Sequence, residues 1–166
     1  MARNINEISP TVADKLHLVF NGESPWPLLI TGGVGAGKTC AALCMLDRVP
    51  KSRKYIPATD FVDRAMQSAK SELEVGGYRV SENQWWSDWG GYNITCMDEI
   101  GTRDKVSDWQ YDVFKKAIEK RHGKPSIWIS NLSLKQLAIV YDDRIASRLC
   151  EGTVLNIQGP DRRVMR

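Results

Sequence analysis

Short apolar runs alternate with stretches of helical spacing along most of the chain. Residues 26–31 (WPLLIT) form an apolar run that stops at two glycines, the pattern of a short buried strand, and residues 38–48 read as a helix. A second short strand is expected at 54–57, where Pro57 suits only a sheet edge because it has no N–H for the ladder. Thr59 is placed to cap a helix with Phe61, Val62, Ala65, Met66 and Ala69 on one side. Residues 71–92 read as irregular, broken by Gly76-Gly77 and Gly90-Gly91, and residues 93–97 (NITCM) as a strand that ends at two acids. Ser107 and Gln110 make a capping box ahead of Val113, Phe114, Ala117 and Ile118, with Gly123 closing that helix. After a strand at 126–130 (SIWIS), Ser133 and Gln136 open another helix with Leu134, Leu137 and Ala138. A short helix from Asp143 ends at Gly152, and a last strand is expected at 153–157. Such strand–helix alternation implies an α/β fold with a mainly parallel sheet covered by helices on both faces.

Composition narrows the classes. The 166 residues allow one domain at roughly 100–200 residues per domain. Lys+Arg of 23 against Asp+Glu of 20 leaves +3, which excludes a binder held mainly by bulk charge. The 42% of apolar residues suffices for an ordinary core and excludes global disorder. The longest comparable apolar stretch, residues 41–46, is far short of the roughly 18 residues of a membrane span. Arg3, Glu7, Asp14 and Lys15 leave no apolar block for a secretory signal. Cys40, Cys44, Cys96 and Cys150 form no CxxC pair, so half-buried free thiols of a cytoplasmic protein are expected.

Residues Gly32, Gly33, Val34, Gly35, Ala36, Gly37, Lys38 and Thr39 match G-x-x-x-x-G-K-[ST] in full, between an expected strand and an expected helix. Glycines let successive N–H groups face one anion at the positive end of the helix. Lys38 is expected to reach the β- and γ-phosphates of ATP and Thr39 to ligate Mg²⁺, with Cys40 completing the nucleotide-binding set. The second site is Asp98-Glu99. Apolar residues leading into two carboxylates put both at the C-terminal edge of a parallel sheet, where such folds bind ligands. Asp98 is expected to hold the Mg²⁺ shell, and Glu99 to orient the attacking water. Asn131, directly after SIWIS, is placed to touch that water or the γ-phosphate; an ordinary turn asparagine is the alternative. Arg144 and Arg148 share one face of the short helix while Ile145 and Leu149 share another; a solvated salt-bridge face is the alternative there.

Together these residues resemble the AAA+ ATPases of the DnaC/DnaI helicase-loader and IstB group. The resemblance rests on GGVGAGKT at 32–39, MDEIG at 97–101, ISN at 129–131 and DRIASRL at 143–149, and spans about residues 18–158. It implies a P-loop sandwich of the ASCE type with a five-stranded sheet and the strand of Pro57 at its edge. It also implies sensor 1 at Asn131 and an arginine finger acting in trans at Arg148, with Arg144 second. Residues 1–166 are expected to form one AAA+ core, with 1–17 as an N-terminal extension and 159–166 as a basic tail. Only 31 residues precede Gly32, so the helicase-gripping segment of such loaders is expected to be missing or supplied by another chain. No full helical lid is expected, which leaves Arg162 and Arg163 as weak sensor-2 candidates in a tail that also reads as a solvated end.

In initiator-type relatives the insertion after the second strand contacts single-stranded DNA. Residues 58–91 occupy that place, with Arg64, Lys70 and Arg79 for phosphates and Trp85, Trp86 and Trp89 as stacking surfaces or as packing residues. The resulting expectation is a Mg²⁺-dependent ATPase and ATP-dependent homo-oligomer. It would act on a replicative helicase or another DNA-processing protein, with single-stranded DNA as a further partner and no membrane. An IstB-like transposition helper has the same chemistry and another partner. A small-molecule P-loop kinase would need an acceptor pocket and a lid, and a non-enzymatic module would not need intact Lys38, Thr39, Asp98 and Glu99.

Overall fold

Alternating side chains along three strands divide the core into two. Leu28 and Ile30, Ile94 and Cys96, and Ile127 and Ile129 belong to one apolar cluster, while Leu29, Met97 and Trp128 belong to the other. A strand turns successive side chains to opposite faces, so a sheet with two buried faces lies between the clusters. The computed structural model describes residues 9–102 and 106–159; Arg3, Glu7, Arg162 and Arg163 lie outside them.

The sheet comprises β1 (Leu28–Thr31), β2 (Arg53–Pro57), β5 (Ile94–Ile100), β6 (Ser126–Ser130) and β7 (Thr153–Asn156) in the order β2-β5-β6-β1-β7. Every pair is parallel. β2 is an edge strand, as Pro57 requires. One face carries α1 (Pro10–Phe20) and α2 (Lys38–Asp47); the other carries α3 (Ala58–Ala69), α4 (Glu82–Gly91), α5 (Asp108–Lys120), α6 (Leu134–Val140) and α7 (Asp143–Leu149). Both expected capping boxes are present, at Ser107 with Gln110 and Ser133 with Gln136.

Four expectations change. Residues 10–20 are a helix whose Val12, Leu16 and Val19 enter the core, so residues 10–17 of the expected extension are part of the packed unit. Residues 71–92 are not irregular. Gly76 and Gly77 turn the hairpin of β3 (Glu74–Val75) and β4 (Tyr78–Arg79), and Ser81 caps α4 by accepting from Gln84 N, with Gly90 and Gly91 in its last turn. The cap of α3 is Pro57 rather than Thr59, because the helix starts directly off the edge strand. Finally, β5 runs through both acids to Ile100 instead of stopping before them.

Candidate active site

The loop between β1 and α2 depends on glycine. Gly32 takes φ +141°, and a Cβ there would lie 2.0 Å from the Ile157 carbonyl oxygen, closer than any side chain tolerates. Gly37 takes φ +98° as the N-cap of α2, with no side chain capping the helix. The first N–H groups of α2 therefore lack intrahelical partners at the positive end of its dipole. Lys38 is buried, and its Nζ donates to the carbonyl oxygens of Gly32 (2.9 Å) and Gly33 (2.7 Å). The ammonium is held across its own loop. Between the glycines, Val34 is exposed and Ala36 buried.

Asp98 is the hub opposite. It is 4% exposed, and both its oxygens are engaged. Oδ2 accepts from Thr39 Oγ1 at 2.7 Å and from the Tyr55 hydroxyl at 2.8 Å, while Oδ1 accepts from Glu99 N at 2.7 Å. Sequence reasoning missed Tyr55. Strand parity carries the signal: Tyr55 pairs with Cys96, and Cys96 and Asp98 share one face of β5. Burial, and then the bond to Asp98, pushes the Tyr55 hydroxyl well above the usual phenol range, so it remains a donor at neutral pH.

Glu99 has φ +60°, a left-handed conformation rare for a residue with a side chain. The register between β5 and β6 breaks between Met97 and Ile100, around this residue. Its side chain is exposed on the wall of an open cleft shared with Thr59, Asp63, Gln110 and Phe114. Ser130 Oγ donates to Ile100 O at 2.6 Å and accepts from Leu132 N at 3.0 Å, tying the ends of β5 and β6 together. Asn131, exposed, follows at that same C-terminal edge of the sheet.

α7 carries the two arginines. Ile145 and Leu149 are buried, Arg144 is exposed and Arg148 half-buried. Among the described residues, no hydrogen bond or ion pair joins either arginine to the glycine loop or to Asp98. A further feature eluded the sequence. An open cavity runs from Ala36, Gly37 and Cys40 to Ser9 and Val12 at the start of α1 and to Asn156, Ile157 and Gln158 at the end of β7. Its walls come from the two ends of the chain, which no local pattern brings together.

The stacking expectation is corrected. Trp85, Trp86 and Trp89 are 8%, 5% and 2% exposed, with the Phe61 ring 5.2, 5.8 and 4.6 Å from theirs. Their faces serve the core. Of the expected phosphate contacts, Lys70 and Arg79 are exposed and Arg64 is half-buried, with Arg79 lying 3.8 Å from Glu74. The four cysteines are free thiols, Cys40 and Cys150 half-buried and Cys44 and Cys96 buried.

No protein-family model matches the sequence, and no curated protein matches it. Solved structures do match. DnaA from Aquifex aeolicus bound to AMPPCP is 20% identical with a TM-score of 0.69 over 89% of this chain and 44% of its own. A DnaA replication initiator bound to AMPPCP and single-stranded DNA is 16% identical with a TM-score of 0.78, over 95% of this chain and 50% of its own. The DnaC helicase loader is 17% identical with a TM-score of 0.75, over 93% of this chain and 96% of its own. The chain shares the fold of these structures, a P-loop NTPase-like five-stranded parallel sheet flanked by helices. It spans half or less of these two DnaA chains. Among the described residues, no helix is long and apolar enough to cross a membrane.

Proposed function

We propose that this chain binds ATP with Mg²⁺, hydrolyses it, and serves in cytoplasmic DNA replication as a helicase-loader-like factor acting on a replicative helicase or another DNA-processing protein. The observation that carries the nucleotide reading is the 2.7 Å bond from Thr39 Oγ1 to Asp98 Oδ2, which joins the glycine loop to the acid pair across 59 residues. The AAA+ fold shared with a helicase loader and with replication initiators supports the setting. The donor set fits magnesium. The Thr39 hydroxyl and the Asp98 carboxylate stand 2.7 Å apart, and Mg²⁺ is typically held by one or two carboxylates together with substrate phosphates.

In this reading the backbone N–H groups of residues 32–37 hold the phosphates, and Lys38 exchanges its two carbonyl partners for phosphate oxygens. The cavity between α1 and the end of β7, which opens beside Ala36 and Gly37 of the glycine loop, would take the adenine base. The Thr39 hydroxyl donates a hydrogen bond to Asp98, which would leave its lone pairs for the metal. Thr39, oriented by Asp98, would hold Mg²⁺, which when bound would supply charge neutralisation to the phosphates. Glu99 and Asn131 hold the attacking water from the sheet edge, and Arg148 of a neighbouring copy, with Arg144 second, completes the site.

Lys38→Ala and Glu99→Gln separate the steps. Calorimetry should show ATP affinity lost in the first and kept in the second, while phosphate release in the second falls at least about 100-fold. Normal turnover by Glu99→Gln would remove its role as base. The same variant, holding the ATP state, is the bait for identifying the partner from the native cell.

A further inference from the structure

We propose that Tyr55 is a positioning residue for the magnesium site, an assignment that rests on the nucleotide reading above. An ionised carboxylate oxygen has about two lone-pair sites for hydrogen bonds. On Asp98 Oδ2 both are filled, one by Thr39 Oγ1 at 2.7 Å and one by the Tyr55 hydroxyl at 2.8 Å. On Oδ1, Glu99 N takes one at 2.7 Å. Asp98 therefore acts through the Thr39 hydroxyl rather than as a free ligand at Oδ2, and Tyr55 sets the carboxylate plane from which that hydroxyl takes its direction. Without the Tyr55 donor, the carboxylate keeps its bonds from Thr39 Oγ1 and Glu99 N but loses one of three anchors, and it turns over a wider range about its last bond. Thr39 then presents its lone pairs to the metal in only a fraction of the molecules.

The Tyr55 ring does little else. It is 37% exposed, stands on the edge strand β2 and belongs to neither core cluster. Tyr55→Phe therefore removes one hydroxyl and leaves the fold intact. The bond it removes is charge-assisted, of a kind that typically shifts an equilibrium about tenfold.

The test compares wild type and Tyr55→Phe by calorimetry with ATP in EDTA and over a magnesium titration, together with phosphate release. The expected result is equal affinity for ATP in EDTA and a magnesium midpoint for tight binding raised about tenfold. Turnover at saturating magnesium should recover to within about twofold, because no group that touches substrate has changed. Equal magnesium midpoints in the two proteins would overturn the proposal while leaving the nucleotide reading standing. A variant weakened equally with and without magnesium would overturn it too, by giving Tyr55 a structural role. Failure of the wild type itself to bind ATP would overturn the nucleotide reading, and this proposal with it.

Discussion

The Tyr111 hydroxyl of α5 donates to Asp142 Oδ2 at 2.7 Å, and Asp142 Oδ1 in turn caps α7 by accepting from Ile145 N at 2.8 Å. The helix that carries Arg144 and Arg148 is thereby anchored to its neighbour at its first turn. The Tyr111 bond, then the Ile145 N–H, holds the Asp142 carboxyl below its usual 3.8. A carboxylate depressed on folding stabilises the fold above its unfolded pKa, and that contribution disappears as pH falls through the folded value. The start of α7 should therefore stay protected from amide exchange down to below about pH 3.8. Tyr111→Phe should move the Asp142 midpoint upward, toward 3.8, and loosen α7 at correspondingly higher pH. Carbon-detected NMR titration of the carboxyl reads this directly; an unmoved midpoint would show that the Tyr111 bond does not hold it.

The buried pair Ile145 and Leu149 fixes α7 with Arg144 exposed and Arg148 half-buried, and among the described residues neither arginine has a hydrogen bond or ion pair to the glycine loop. If the active site is shared between copies, Arg148→Ala should bind ATP normally and lose about 10³–10⁵ in turnover. Mixing it with Lys38→Ala should restore part of the activity, since one chain keeps the pocket and the other the finger. Two inactive proteins that co-assemble and remain inactive would leave Arg148 a surface residue.

Single-stranded DNA, if bound by the insertion, cannot stack on the indoles, whose faces are inside, so the exposed cations should carry most of the contact. Affinity should fall steeply with salt, and replacing Arg64, Lys70 and Arg79 together should flatten the logarithmic slope by about 2, near 0.7 per phosphate contact on a single strand. Fluorescence anisotropy with a labelled oligonucleotide measures both. An unchanged slope would move the contact surface elsewhere.

Arg121 is 2% exposed, and no carboxylate pairs with it among the described residues. Its guanidinium donates instead to the carbonyls of Trp89, Gly90, Tyr92 and Pro125 and to Ser126 Oγ. Burial lowers its pKa to about 10, so it remains charged at neutral pH. It knits the end of α4 to the starts of β5 and β6. Arg121→Met should cost about 3 kcal/mol in urea unfolding, since it strands several buried acceptors at once. A loss under about 1 kcal/mol would mean that water replaces the guanidinium there.

Elements set by local chemistry were legible in the chain. The glycine loop, both capping boxes and the edge position of Pro57 each depend on residues a few positions apart. Missed features depend on tertiary placement. The glycines at 76–77 and 90–91 look alike as breakers, yet the first pair turns a hairpin and the second ends a helix anchored by three buried tryptophans. The apolar face of α1 needs α2 and β7 to give it meaning. Within the site, Lys38, Thr39, Asp98 and Glu99 follow a linear pattern. Tyr55 reaches Asp98 only through the pairing of β2 with β5, a partnership that no spacing along the chain encodes.

The aromatic cluster under the insertion also determines what light can report. Four of the six tryptophans, Trp85, Trp86, Trp89 and Trp128, are buried, linked through rings whose centres lie within 6.5 Å of one another or of Phe61. Intrinsic emission is thus dominated by a dry patch on the sheet face opposite α2, and it records how α3 and α4 seat against β5 and β6. Nucleotide filling the glycine loop alone would leave that signal flat. A change in emission on adding ATP would mean that the insertion had shifted on the sheet, making the unlabelled protein its own gauge of mechanical coupling.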